Sequence, residues 1–180
     1  MVIGGRVVGK TTFVQHLNVR SRVHTSYIPT IGIDFTEYSK SGTVLHIWDT
    51  SGAVKYREVV RTFMRQTNLF IIMYRDKRSL DKVWQYIHTI RVLANTDARI
   101  VIVSNANDLD LEVEGQFVAT KENTYFFACN SLDRVQSLRT WHEIIHLCEQ
   151  EARDNQWITD KKDDNDKIVN IESQRFCWWF

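Results

Sequence analysis

The sequence predicts an α/β fold: a six-stranded, mostly parallel sheet with one antiparallel strand and helices on both faces. Two features of the pattern carry this. Short, nearly continuous apolar runs rich in β-branched and aromatic residues mark strands buried on both sides. Amphipathic helical patterns lie between several of them, as crossovers in a covered parallel sheet require. A glycine-rich segment then sits between the first run and the first helical pattern, at the end of the strand where such folds bind ligands.

The elements follow in order. Met1 to Ile3 is the first apolar run, short for a strand that feeds a mid-sheet loop and ordinarily takes about five or six residues. A short strand and an incomplete chain start both remain open. Phe13, Val14 and Leu17 open the first helical pattern. The runs Ile33 to Tyr38 and Val44 to Trp48 are separated only by Ser39 to Thr43, too little for a crossover, so this pair is expected as an antiparallel hairpin. Leu69 to Tyr74, Ile100 to Val103 and Tyr125 to Phe127 complete the strands. Leu80, Val83, Ile87, Ile90 and Leu93, and later Val135, Leu138, Trp141, Ile144, Ile145 and Cys148, recur at helical spacing. After Trp157 the pattern stops, which divides the chain into one domain over residues 1–157 and a polar tail over residues 158–180.

Composition narrows the function. With 43% hydrophobic residues in 180, the chain has ample material for one core. Lys and Arg number 23 against 22 Asp and Glu, a balance with no field to draw a nucleic-acid backbone, so no nucleic-acid partner is expected. Cys129, Cys148 and Cys177 are an odd set without metal-ligand spacing, which suits a reducing, cytoplasmic compartment. No apolar run has the length of a membrane span.

Gly4-Gly5-Arg6-Val7-Val8-Gly9-Lys10-Thr11 fits G-x-x-x-x-G-K-[ST], directly after a strand pattern and before a helical one. Backbone N–H groups in such a loop converge on phosphate oxygens, Lys10 reaches the outer phosphates, and the Thr11 hydroxyl can bind Mg²⁺. A glycine-rich turn that matches by chance is the plain alternative. Further along, Pro29-Thr30-Ile31-Gly32-Ile33-Asp34-Phe35, Ile47-Trp48-Asp49-Thr50-Ser51-Gly52 and Asn105-Ala106-Asn107-Asp108-Leu109 follow in order.

These segments resemble the Ras-superfamily small GTPases, and the run from Thr30 to Phe35 with Trp48-Asp49-Thr50 resembles the Rab branch in particular. The resemblance spans residues 1–157 and implies a phosphate-loop G domain that binds GTP or GDP with Mg²⁺ and serves vesicle trafficking. It implies nucleotide contacts at Gly4, Gly5, Arg6, Val7, Val8, Gly9, Lys10, Thr11, Thr12, Thr30, Gly52, Asn105, Asp108, Cys129 and Asn130. It implies metal contacts at Thr11, at Thr30, and at Asp49 through water. Chemistry agrees with these roles. Thr30 can offer a hydroxyl to Mg²⁺ and its N–H to a terminal phosphate, and the small Gly52 can approach that same phosphate. Asp108 can accept from guanine N1–H and its exocyclic amine, a pair that adenine lacks, which favours a guanine switch over an ATP-dependent kinase. Effectors and regulators would then read the segments around Thr30 and Gly52.

Several positions depart from the family pattern. Ala53 stands where the family has the glutamine that orients the attacking water, so no residue is assigned a catalytic role. Arg6 and Val7 put bulk where small residues are usual; Arg6 as an internal charge-neutralising finger is a lesser alternative. Ala106 replaces a lysine whose stem covers the base, and Ala128-Cys129-Asn130 replaces S-A-K. Slow intrinsic hydrolysis and weakened, micromolar binding are expected. The competing reading is a pseudo-GTPase, a binding module or scaffold without a GTP/GDP cycle.

Cys177-Trp178-Trp179-Phe180 fits C-a-a-X by position, which allows reversible membrane association through a lipid on Cys177 and peripheral placement on an internal membrane. Bulky indoles in the middle and four Lys or Arg against five Asp or Glu from Thr159 to Phe180 argue against firm anchoring. His142 and His146 lie one helical turn apart without a third ligand, which reads as an exposed helix face.

Overall fold

A computed structural model describes residues 1–18, 28–40, 43–95 and 97–154. Residues 155–180, with Cys177, lie outside the described residues, as do Arg22 and Val23, which stand near where the resembled family has an aromatic that packs against guanine. The strands are β1 (Val2–Gly4), β2 (Ile33–Lys40), β3 (Thr43–Thr50), β4 (Leu69–Tyr74), β5 (Arg99–Ser104) and β6 (Tyr125–Ala128). The helices are α1 (Lys10–Gln15), α2 (Arg57–Met64), α3 (Lys77–Leu80), α4 (Val83–Leu93), α5 (Leu109–Lys121) and α6 (Arg134–Asp154). One six-stranded sheet runs β2-β3-β1-β4-β5-β6, with only the β2–β3 hairpin antiparallel. The predicted fold class and all the predicted strands are present, with ends shifted by a residue or two.

β1 spans three residues, lies mid-sheet and is buried throughout. It is fastened along its length. Val2 pairs with Asp49 on one side and Ile71 on the other, and the buried Thr50 hydroxyl donates to the Val2 carbonyl at 2.8 Å. The Met1 amine donates to Leu69 O at 2.7 Å, and burial pulls its pKa down to about 5.

Two apolar clusters cover the sheet. Phe70, Ile72, Tyr74, Leu80, Val83, Ile87 and Ile90 fill one face. Val2, Phe13, Val14, Ile71, Met73, Val103 and Trp141 fill the other. There, Phe13 and Trp141 stack at 4.7 Å and the indole donates to Phe13 O at 2.9 Å, which ties α1 to α6. The single helical pattern read from Leu80 to Leu93 is broken in the structure between α3 and α4. Asp76 and Ser79 form a capping box that opens the short α3, which ends at Leu80, and the chain turns at Asp81 and Lys82 before α4 begins.

Gly115 lies where α5 crosses β4 and β6. A Cβ there would fall 2.1 Å from the Tyr74 hydroxyl and 2.9 Å from the Phe126 ring. That hydroxyl donates to Leu111 O at 2.7 Å, so close approach and hydrogen bond depend on the same missing methyl. Gly115→Ala is expected to destabilise the fold by about 1–3 kcal/mol, measured by urea denaturation.

Candidate functional site

The phosphate loop leaves β1 and enters α1 with Gly9 in the left-handed region, φ 96°. A Cβ on Gly9 would lie 2.5 Å from both Asn105 Nδ2 and Ser131 Oγ, so this turn is open to glycine alone. Val7 also has a positive φ, 61°, a conformation that a β-branched side chain adopts only under strain. Arg6 and Val7 are both exposed, and Val8 is buried. The Lys10 ammonium bends back over the loop to donate to Gly5 O at 2.7 Å and Gly4 O at 3.2 Å. Burial pulls its pKa down to about 8, with the Asp49 carboxylate acting the other way.

Thr11, Thr30 and Asp49 are brought together from α1, the segment before β2, and β3. The Thr11 hydroxyl donates to Asp49 Oδ2 at 2.6 Å, the two threonine hydroxyls lie 3.0 Å apart, and Thr30 Oγ1 is 3.4 Å from the same carboxylate oxygen. Asp49 is 3% exposed, and its Oδ1 is buried without a hydrogen-bond partner. Burial raises the pKa of this carboxyl, while the Thr11 hydrogen bond and the Lys10 charge pull it back. Hard oxygen donors with one buried oxygen unsatisfied suit Mg²⁺, and these residues therefore fit the metal of a nucleotide complex.

Gly52 approaches the loop from the other side. A Cβ on it would stand 2.4 Å from Gly5 C and O and 2.5 Å from Arg6 N, so the segment after β3 is in direct contact with the phosphate loop. Ala53 follows, its N–H weakly held by Ser51 Oγ at 3.3 Å. Thr12 is half-buried in the first turn of α1.

At the opposite end of the site, Asn105, Asp108, Cys129 and Asn130 take hydrogen-bond partners from the protein. Asn105 is buried, and its carboxamide is spent on the protein. Nδ2 donates to Val8 O at 3.0 Å and Ser131 Oγ at 2.8 Å, and Oδ1 accepts from Ser131 N at 2.8 Å. Asp108 is exposed at the start of α5 and caps it, with Oδ1 accepting from Asp110 N at 3.0 Å and Leu111 N at 3.2 Å. Cys129 is 4% exposed, and its N–H donates to Ser104 O at 2.8 Å just past the end of β6. The Asn130 N–H donates to Gln136 Oε1 at 3.2 Å.

Ser131 is the residue that sequence reasoning passed over. Its N–H and hydroxyl both meet Asn105, and its carbonyl lies 2.9 Å from His16 Nε2 at the end of α1. A signal for it existed. Asp133 accepts from the N–H groups of Val135 and Gln136, which marks the start of α6, and Ser131 lies two residues before that cap.

A covered, mostly parallel sheet with a glycine-rich loop, a lysine over it and a shared oxygen cluster defines a phosphate-loop nucleotide-binding domain. The Ras family profile matches residues 1–150, and the chain belongs to that family. It is similar to Ras-related protein SEC4 of Candida albicans, 27% identical over 161 residues that cover 83% of this chain and 76% of that protein. It is similar to Ras-related protein Rab-3C of Bos taurus, 26% identical over 158 residues, 82% of this chain and 69% of that protein. The EF-hand calcium-binding domain-containing protein 4B of Homo sapiens shares 27% identity over 156 residues, 81% of this chain and 21% of that protein. The chain is a divergent, Rab-like member, and membership implies binding of GTP or GDP.

The α5 cap yields a stability prediction. Asp108→Ala is expected to cost about 1 kcal/mol in urea denaturation, and Asp108→Ser, which can still cap, to recover most of it.

Proposed function

We propose that the protein is a Rab-like nucleotide switch of vesicle traffic whose intrinsic hydrolysis is impaired. The observation that carries this is the meeting of Thr11, Thr30 and Asp49 around an unsatisfied carboxylate oxygen. A triphosphate with Mg²⁺ would draw the Thr30 segment and the Gly52 segment onto one ligand, and hydrolysis would release both. The metal would supply charge neutralisation between the outer phosphates. Thr11 and Thr30 would hold it directly and Asp49 through water, while Lys10 would hold the phosphates.

A surface for a partner adjoins these segments. Phe35, Trp48 and Phe63 form a row with ring centroids 4.8 and 5.0 Å apart, and Ile31 and Val54 beside the two segments are 81% and 72% exposed. Apolar residues this open on segments that move with the nucleotide are suited to an effector or regulatory protein. Impaired hydrolysis rests on Ala53, which cannot orient water, and on Arg6 and Val7, which crowd the loop.

The strain at Val7 and the exposed Arg6 favour one second reading, a scaffold that keeps the fold without a nucleotide cycle. Nucleotide content separates the two. Stoichiometric guanine nucleotide released on denaturing the purified protein, with GTP retained over hours, is expected for the switch; no triphosphate binding at high micromolar concentration would leave the scaffold. Lys10→Ala is expected to weaken triphosphate binding at least about 100-fold by titration. Ala53→Gln is expected to raise single-turnover GTP hydrolysis on the order of tenfold, and more when combined with Val7→Gly.

A further inference from the structure

Helix α5 is apolar on two sides. Leu111, Val118 and Ala119 pack into the core cluster beneath it, over β5 and β6. Leu109, Val113 and Phe117 stand four residues apart, so they line one ridge on the far side, and they are 74%, 62% and 63% exposed. The helix accordingly has almost no amphipathic bias, whereas α2, also on the surface, is strongly one-sided. A helix with apolar residues all round is ordinarily buried all round, and among the described residues nothing covers this outer ridge.

The charges beside the ridge indicate what fits it. Asp110 and Lys121 lie on the same flank, about three turns apart, and both are exposed. They place opposite charges at opposite ends of one helix. When a helix packs antiparallel on its own copy about a two-fold axis, each flank meets the same flank of the copy in reverse order. In the register that lays Val113 against Phe117 of the second copy, Asp110 falls opposite Lys121 of that copy, and the axis produces each contact twice. Glu114, the other acidic side chain of this flank, is already paired with Lys77 and brings no unanswered like charge to the contact. The Lys121 ammonium lies 5.3 Å from the centroid of the Trp84 ring, a contact that leaves its N–H donors for a carboxylate.

We propose that α5 is the two-fold contact of a weak homodimer. A helix of 13 residues is about 20 Å long and about 10–12 Å across. Its face supplies on the order of half the ~800 Å² per partner of a standard interface, which puts the dimer in the transient class, with a dissociation constant of about 10–500 µM. β2 and β3, which adjoin the segments around Thr30 and Gly52, lie at the other end of the sheet from β5 and β6, so the dimer leaves both segments open. Two copies of that surface on one particle give avidity for any target that presents two sites. The avidity rests on the switch reading above; the contact does not.

Sedimentation equilibrium of the full chain, from about 5 µM to about 1 mM, tests the contact. The weight-average mass is expected to rise from that of one chain toward that of two. Val113→Glu, a helix-compatible change at an exposed position, is expected to weaken self-association at least about tenfold with the circular dichroism unchanged. Lys121→Glu and Asp110→Lys each set like charges across the axis and are expected to weaken it about three- to tenfold in low salt. The two together rebuild the pairs with their signs exchanged, and are expected to return the dissociation constant to within about threefold of its starting value. That recovery separates a second copy from any other occupant, because only self-pairing is repaired by exchanging two charges within one chain. A one-chain mass throughout, association untouched by Val113→Glu, or a double variant no tighter than the single ones would overturn the homodimer. Guanine nucleotide content, measured on the same samples, reports on the switch reading by itself, so either can fail alone.

Discussion

The Asn105 carboxamide holds the site together. It joins the phosphate loop at Val8 to the turn before α6 at Ser131, and it does so from the end of β5. A buried amide has four hydrogen-bond sites, and leaving any of them empty in the interior is costly. Loop, strand end and turn must therefore arrive together. His16 reaches the Ser131 carbonyl from the end of α1, so the helix that follows the loop is bound into the same junction.

Electrostatics divides the site into two halves. On the phosphate side, charge is buried and waiting. Lys10 is held on loop carbonyls with its pKa pulled down, and Asp49 sits in the interior with its pKa raised and one oxygen unsatisfied. An anion beside Lys10 and a cation beside Asp49 would relieve both penalties at once, which is a physical reason for such a site to favour a metal-bound phosphate. At the other end, the polar groups of Asn105, Ser131 and Asn130 meet one another and their neighbours.

Strain collects at the same place. A β-branched residue at φ 61° costs on the order of 1–3 kcal/mol, and Val7 keeps that conformation because the loop is fastened on both flanks. Upstream, β1 is locked between β3 and β4; downstream, Phe13 and Trp141 lock α1 to α6. Gly52 then seals the loop from above.

Much of this was legible in the residues alone. Apolar run length and β-branched content separated strands from helices, the five residues from Ser39 to Thr43 forced a hairpin, and loop, lysine and threonine identified themselves by spacing. The local physics of short windows was sufficient for these. The cap at Asp108, the junction at Ser131 and the burial of the Cys129 N–H were decided elsewhere. Whether an aspartate in a turn also caps a helix depends on where the next helix begins. Whether a backbone N–H is free depends on which strand lies beside it. Sequence determined which groups exist and which elements carry them; tertiary structure decided which were spent on each other, because hydrogen bonds between residues 26 apart, as from Asn105 to Ser131, exist only once the sheet has brought the ends of its strands together.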